Sequence, residues 1–201
     1  MTTKRKTKIS PSPKGYHTAT PVLVVQNAAA AIDYYVAAFG AKELSRTYAA
    51  DSTTILLATL KIGNSIVHLN DEMPSYGVLS PISLGGSSNA VHLYLAKIDE
   101  VWQNTIEAGA TVVMPLEDTF WGERSGKIID PFGHVWVLSI QTEVLSNEEI
   151  KKRSDAFYGT SEVQPVETQE ENLVPVEDLP VIDIEQGLIA TANSEAAIAS
   201  Q

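Results

Sequence analysis

The chain has 201 residues, of which 44% are hydrophobic and 19% are charged, enough for a buried core in one or two domains. It contains no cysteine, which excludes disulfides, thiolate nucleophiles and cysteine-ligated metals. No apolar run approaches the roughly 18 residues of a membrane helix. The first 15 residues lack the apolar stretch of a secretory signal, so we expect a cytoplasmic protein without a membrane partner.

The formal net charge of −11 is unevenly distributed along the chain. Residues 1–14 carry +5, whereas residues 159–201 contain nine acidic residues and no Lys or Arg, which leaves −7 for residues 15–158. A domain of that charge repels phosphate backbones, so we expect no nucleic-acid partner. We predict a flexible basic arm over 1–14, one domain over 15–157, and an acidic, disordered tail over 158–201.

The first half of the domain predicts a strand, a helix and three further strands. The β-rich run at 18–26 is typical of a strand. Apolar residues at helical spacing over 28–39, followed by Gly40, predict a helix and its end. The three strands that follow are predicted at 43–48, 53–62 and 65–70.

The same order of elements returns after a Gly-, Ser- and Pro-rich loop over 71–89. A strand at 90–96 precedes a helix at about 100–108, where Asp99 is placed as the N-cap. The inner face of this helix is assigned to Trp102, Thr105 and Ile106. Three more strands are predicted at 111–115, 127–129 and 135–140. A capping box at Ser146 then opens a short helix over 146–157.

The repeat also appears in the letters, because FGAKEL (39–44) corresponds to AGATVV (108–113). Two copies at this long period do not indicate a solenoid. They favour an α+β fold of two βαβββ modules, at about 17–72 and 89–140.

Three segments carry a family resemblance: GYHTATPVLVVQNAAAAIDYYVAAFGA (15–41), NAVHLYL (89–95) and FWGERSGKIIDPFGHVW (120–136). Together they resemble the vicinal oxygen chelate superfamily of glyoxalases, bleomycin-resistance proteins and dioxygenases, and within it the PhnB-like branch. The resemblance implies a curved mixed sheet around a cavity, in a homodimer. It also implies four metal-ligating positions, on the first and fourth strands of each module.

These four positions correspond here to Thr20, His68, His92 and Val137. The two first-strand positions are counted seven residues back from the residue that opens each helix. Catalytic metals usually have three or more protein ligands, and valine cannot ligate. We therefore assign no cofactor other than a weakly bound divalent ion (Zn, Ni, Mn or Fe) on His68 and His92. Alternatively, His92 is an inward polar residue that hydrogen-bonds a neighbouring strand or a water in the cavity.

Aromatic side chains are the second feature of the predicted cavity. Tyr94 lies two residues from His92, on the same strand face, and Trp121 lies on a loop; both rings suit stacking against a flat ligand. Glu123 and Arg124 are either a general base with an anion clamp or a surface ion pair. The predicted ligand-binding residues are His68, His92, Tyr94, Trp121 and Arg124; no catalytic residue is assigned.

The incomplete ligand set favours a protein that binds a small organic molecule in its cavity. The alternative is a metal-dependent isomerase, lyase or dioxygenase with a reduced ligand set. A second alternative is an interaction protein that acts through its acidic tail, where the apolar residues of 173–190 could dock as an extended strand or form a partner-binding peptide.

Overall fold

The computed structural model describes residues 10–159 and two short strands in the tail. The chain divides into two compact units, Met1–Thr160 and Ser161–Gln201. In the second unit, β9 (Ile182–Asp183) pairs antiparallel with β10 (Leu188–Ile189). The predictions of a flexible arm and a disordered tail fall largely outside the described residues.

The first module contains one helix and four strands, and its helix has both of its predicted ends. The side chain of Asn27 accepts a hydrogen bond from the Ala30 amide at the N-terminus, and Gly40 ends the helix at a φ of 62°, where glycine is favoured. The elements are β1 (Val22–Val25), α1 (Ala28–Phe39), β2 (Lys42–Tyr48), β3 (Ile55–Ile62) and β4 (Ser65–Asp71).

The second module repeats this order after a connection that holds a 3₁₀ turn (Pro74–Tyr76) and α2 (Pro81–Leu84). Its elements are β5 (Ala90–Tyr94), α3 (Ile98–Glu107), β6 (Thr111–Asp118), β7 (Glu123–Ile129) and β8 (Val135–Gln141), and α4 (Asn147–Gly159) follows. The Ser146 hydroxyl accepts from the Glu149 amide, which confirms the predicted cap of α4. Within the described residues no helix is long and apolar enough to cross a membrane.

Each module forms its own four-stranded mixed sheet, in the orders β1-β4-β3-β2 and β5-β8-β7-β6. In both sheets the first strand runs parallel to the fourth, and the other pairs are antiparallel. The identical topology confirms the predicted α+β fold of two βαβββ modules.

The core joins the two modules through aromatic rings and one buried carboxylate. The ring of Phe39 on α1 lies 4.6 Å from that of Trp136 on β8, centroid to centroid. The Tyr35 hydroxyl and the Trp136 indole N–H both donate to Oδ2 of Asp130, at 2.7 and 2.8 Å. Tyr34 and Tyr35 are both buried in this core.

Asp130 also organises the turn between β7 and β8, because its Oδ1 accepts from the Phe132 and His134 amides, each at 2.9 Å. Gly133 permits this turn with a φ of 86°. The His134 ring nitrogen Nε2 lies 3.0 Å from the Val24 carbonyl oxygen on β1, a further link between modules.

The helix of the second module differs from its prediction at both the cap and the inner face. It begins at Ile98 after Lys97, which makes no side-chain cap, and Asp99 lies in the first turn instead. Ile106, predicted on the inner face, is 36% exposed. Trp102 does face the sheet: a Cβ at Gly126 of β7 would lie 2.5 Å from its ring. Strand β7 can therefore approach this helix only because residue 126 is glycine.

Candidate functional site

One face of each sheet packs against a helix, and the other face is open. On β5, Leu93 is buried, whereas its neighbours His92 and Tyr94 are exposed, Tyr94 by 64%. Strand alternation places these two side chains on one face of the second sheet, as the sequence predicted. Their rings stack, with centroids 4.6 Å apart and planes at 26°.

A series of side-chain hydrogen bonds crosses the second sheet beneath these rings. The His92 ring nitrogen Nε2 lies 2.7 Å from the Ser139 hydroxyl on β8, which lies 2.7 Å from the Ser125 hydroxyl on β7. Ser139 is fully buried and therefore depends on these partners. This geometry fits the interpretation of His92 as a residue that hydrogen-bonds a neighbouring strand.

Glu123, at the start of β7, hydrogen-bonds both of the predicted stacking residues. Its Oε1 accepts from the Tyr94 hydroxyl at 2.8 Å, and its Oε2 accepts from the Trp121 indole N–H at 3.1 Å. The hydrogen bond to this carboxylate, with smaller contributions from desolvation and its charge, raises the pKa of Tyr94. Tyr94 therefore remains a hydrogen-bond donor at neutral pH.

The loop that carries Trp121 is held on both sides. Gly122 has a φ of 85°, and a Cβ there would lie 3.1 Å from the Glu143 carbonyl oxygen. Phe120 packs edge-on against Trp121, at 4.8 Å between centroids, and against Phe157 of α4 at 5.5 Å. Trp121 is thus fixed in place while 39% of its surface stays exposed.

His68 lies on the open face of the first sheet, half-buried between the buried side chains Val67 and Leu69 of β4. Its Nε2 is 3.3 Å from the Tyr16 hydroxyl, and the two rings meet edge-on at 5.7 Å. Within residues 10–159 no hydrogen bond or ring contact joins His68 to His92. The two predicted imidazoles therefore belong to separate surfaces of this chain.

The strand register identifies which residues oppose the two imidazoles. Val22 of β1 lies opposite His68, and in the equivalent pair of the second module His92 lies opposite Val137. Thr20, which the count from the helix selected, precedes β1 and does not occupy the equivalent position. The interval of seven residues was wrong because α3 begins at Ile98, so the residue before that helix is Lys97 and not Asp99. His92 is five residues before Lys97, and five residues before Asn27 is Val22.

The residues present do not fit the chelated metal that the family resemblance implies. The four equivalent positions hold two imidazoles and two valines, fewer than the three ligands that catalytic metals usually have. Among the described residues no group of three or more His, Asp or Glu side chains could hold an ion. The described residues therefore do not supply the ligand set of a catalytic metal site.

Arg124, predicted in the ligand-binding set, points away from Glu123 because adjacent strand residues face opposite sides. Its guanidinium contacts Asp99 at 3.1 Å and Asp118 at 3.7 Å. The ion pair between Glu123 and Arg124, one of two sequence interpretations, is therefore not formed. The structure instead adds Glu123, Ser125 and Ser139 to the second sheet's open face.

The sequence profile of the Glyoxalase/Bleomycin resistance protein/Dioxygenase superfamily matches residues 16–138. The chain belongs to this superfamily. It is 42% identical over 135 residues to the uncharacterized protein Mb0911c of Mycobacterium bovis, an alignment that covers 66% of this chain and 88% of that protein.

The solved structures agree with this assignment. The chain is similar to TioX from Micromonospora sp. ML1, with a TM-score of 0.50 and 27% identity over 65% of this chain and 100% of that one. It also shares its fold with an Arabidopsis thaliana gene product, at a TM-score of 0.50 and 24% identity over 62% of this chain and 98% of that one.

Proposed function

We propose that this superfamily member binds a small organic molecule on the open face of its second sheet, without a complete metal site. The observation that carries this proposal is the group of His92, Tyr94 and Trp121 arranged around Glu123. Large rings that are both exposed and held in place bind a flat ligand at little entropic cost. The motif at 120–136 supports placement within the PhnB-like branch.

We further propose that the cavity is completed in a homodimer in the cytoplasm. The open face of the first sheet carries apolar side chains that water would otherwise cover: Val22 is 58% and Leu57 is 39% exposed. Leu57 lies on the same face as His68, because Thr59, two residues along, is opposite His68. A second copy that packs on this face would remove these apolar side chains from water.

The binding proposal is tested by thermal-shift screening of a panel of aromatic compounds, followed by calorimetry on each hit. We expect Trp121→Ala to weaken binding by about 1 kcal/mol or more, because a stacking ring is lost. Tyr76→Ala is the matched control, since Tyr76 is exposed on the 3₁₀ turn. A panel without a hit, or hits that Trp121→Ala leaves unchanged, would refute the proposal.

A further inference from the structure

Among the described residues, Glu123 has neutral hydrogen-bond donors but no cationic partner. Its two oxygens are bound by a phenol and an indole, and none of the ion pairs within residues 10–159 includes it. The neighbouring Arg124 is occupied by aspartates on the other side of the sheet. Lys127 shares the face of Glu123 but lies four residues along β7, about 13 Å away by strand rise.

The hydrogen bonds fix this carboxylate instead of neutralising it. A carboxylate offers about four lone-pair directions, so two remain after Tyr94 and Trp121 have donated. The two donor rings and the stacked His92 place π-systems around the same charge, and the faces of Tyr94 and Trp121 attract cations. A fixed negative charge bordered by exposed aromatic rings is a receptor for an organic cation.

We propose that the second-sheet face selects ligands in which a protonated amine is attached to a flat ring, and that Glu123 determines this specificity. The ring would stack on Trp121 or Tyr94 while the ammonium hydrogen-bonds the free lone pairs of Glu123. This inference rests on the proposed binding function. It specifies that the ligand is positively charged and that Glu123 is the residue that recognises this charge.

The test uses three probes that share one ring system and differ in charge at pH 7.5: 2-naphthylmethylamine (an ammonium cation), 2-naphthylmethanol (neutral) and 2-naphthoate (anion). Calorimetry on the full chain should give the order cation, neutral, anion, with the cation about tenfold tighter than the neutral probe. Glu123→Gln should remove this preference. Glu107→Gln is the charge-matched control, because Glu107 is an exposed carboxylate on α3 that binds Gln103.

Each outcome separates this inference from the binding proposal beneath it. If the neutral or anionic probe binds as tightly as the cation, Glu123 does not select charge and this inference is overturned. If such binding is still weakened by Trp121→Ala, the binding proposal survives alone. If no probe binds, both lose support. Should Glu123→Gln fail to fold, the order of the three probes on the unmodified chain still decides.

Discussion

The hydroxyl group of Tyr35 provides a direct test of how the two modules are joined. It donates at 2.7 Å to Asp130, a carboxylate that is 3% exposed and lies in the other module. Tyr35→Phe removes this donor and leaves the carboxylate with the Trp136 indole and two backbone amides. Hydrogen bonds to charged groups contribute about 1.5–3 kcal/mol, so the free energy of unfolding should fall by that amount.

The adjacent residue supplies a matched control. Tyr34 is also buried, but within the described residues its hydroxyl has no hydrogen-bond partner. Burial, and secondarily the charge of Asp130, raise its pKa, so the group stays a neutral phenol. Because an unsatisfied buried polar group costs about 1–3 kcal/mol, Tyr34→Phe should leave stability unchanged or increase it.

The two variants are compared by urea unfolding at pH 7, which is monitored by tryptophan fluorescence. Equal m-values would show that the difference in midpoint reflects stability alone. We expect Tyr34→Phe to be the more stable variant by at least about 1.5 kcal/mol. Equal losses in both variants would refute the assignment of Asp130 as the inter-module acceptor.

Three further predictions concern packing, assembly and the metal positions. Gly126→Ala should destabilise the domain by about 1–3 kcal/mol, because its Cβ would enter the α3 indole, whereas Gly159→Ala, with nothing within 4 Å, should be neutral in the same urea assay. Sedimentation should give twice the chain mass of 21.7 kDa at micromolar concentration, and Leu57→Glu should shift it to monomer; a monomeric parent would contradict the homodimer. The double variant Val22→His, Val137→Glu should bind zinc more tightly than the parent, and unchanged affinity would contradict the register-based assignment of these positions.

Local signals predicted most of the fold correctly. The predicted bounds of α1 agree with the structure because the helical apolar pattern over 28–39 ends at Gly40, which is the C-cap. The order of strands in both modules followed from β-rich runs separated by glycine turns. The two βαβββ modules followed from this repeated order, whereas the mixed sheets were implied by the family resemblance.

Non-local geometry explains the errors in the site. Thr20 was selected by counting seven residues back from the start of α1, the interval that separates His92 from Asp99 in the second module. That interval was wrong because α3 begins at Ile98, before Asp99, without a side-chain cap. Only the cross-strand register identifies Val22 as the residue opposite His68. The role of Glu123 depends on Tyr94, a residue 29 positions away, and the strand predicted at 127–129 did not extend to Glu123, where β7 begins.

Calorimetric titration with zinc, nickel and manganese tests the central claim most directly, namely that the site binds an organic ligand without a complete metal set. With two imidazoles opposite two valines, a bound ion would keep several waters and exchange readily, so we predict weak binding of all three metals. His68→Ala should then change little. Stoichiometric binding in the nanomolar range that is lost in His68→Ala would contradict the account and favour the metal-dependent enzyme.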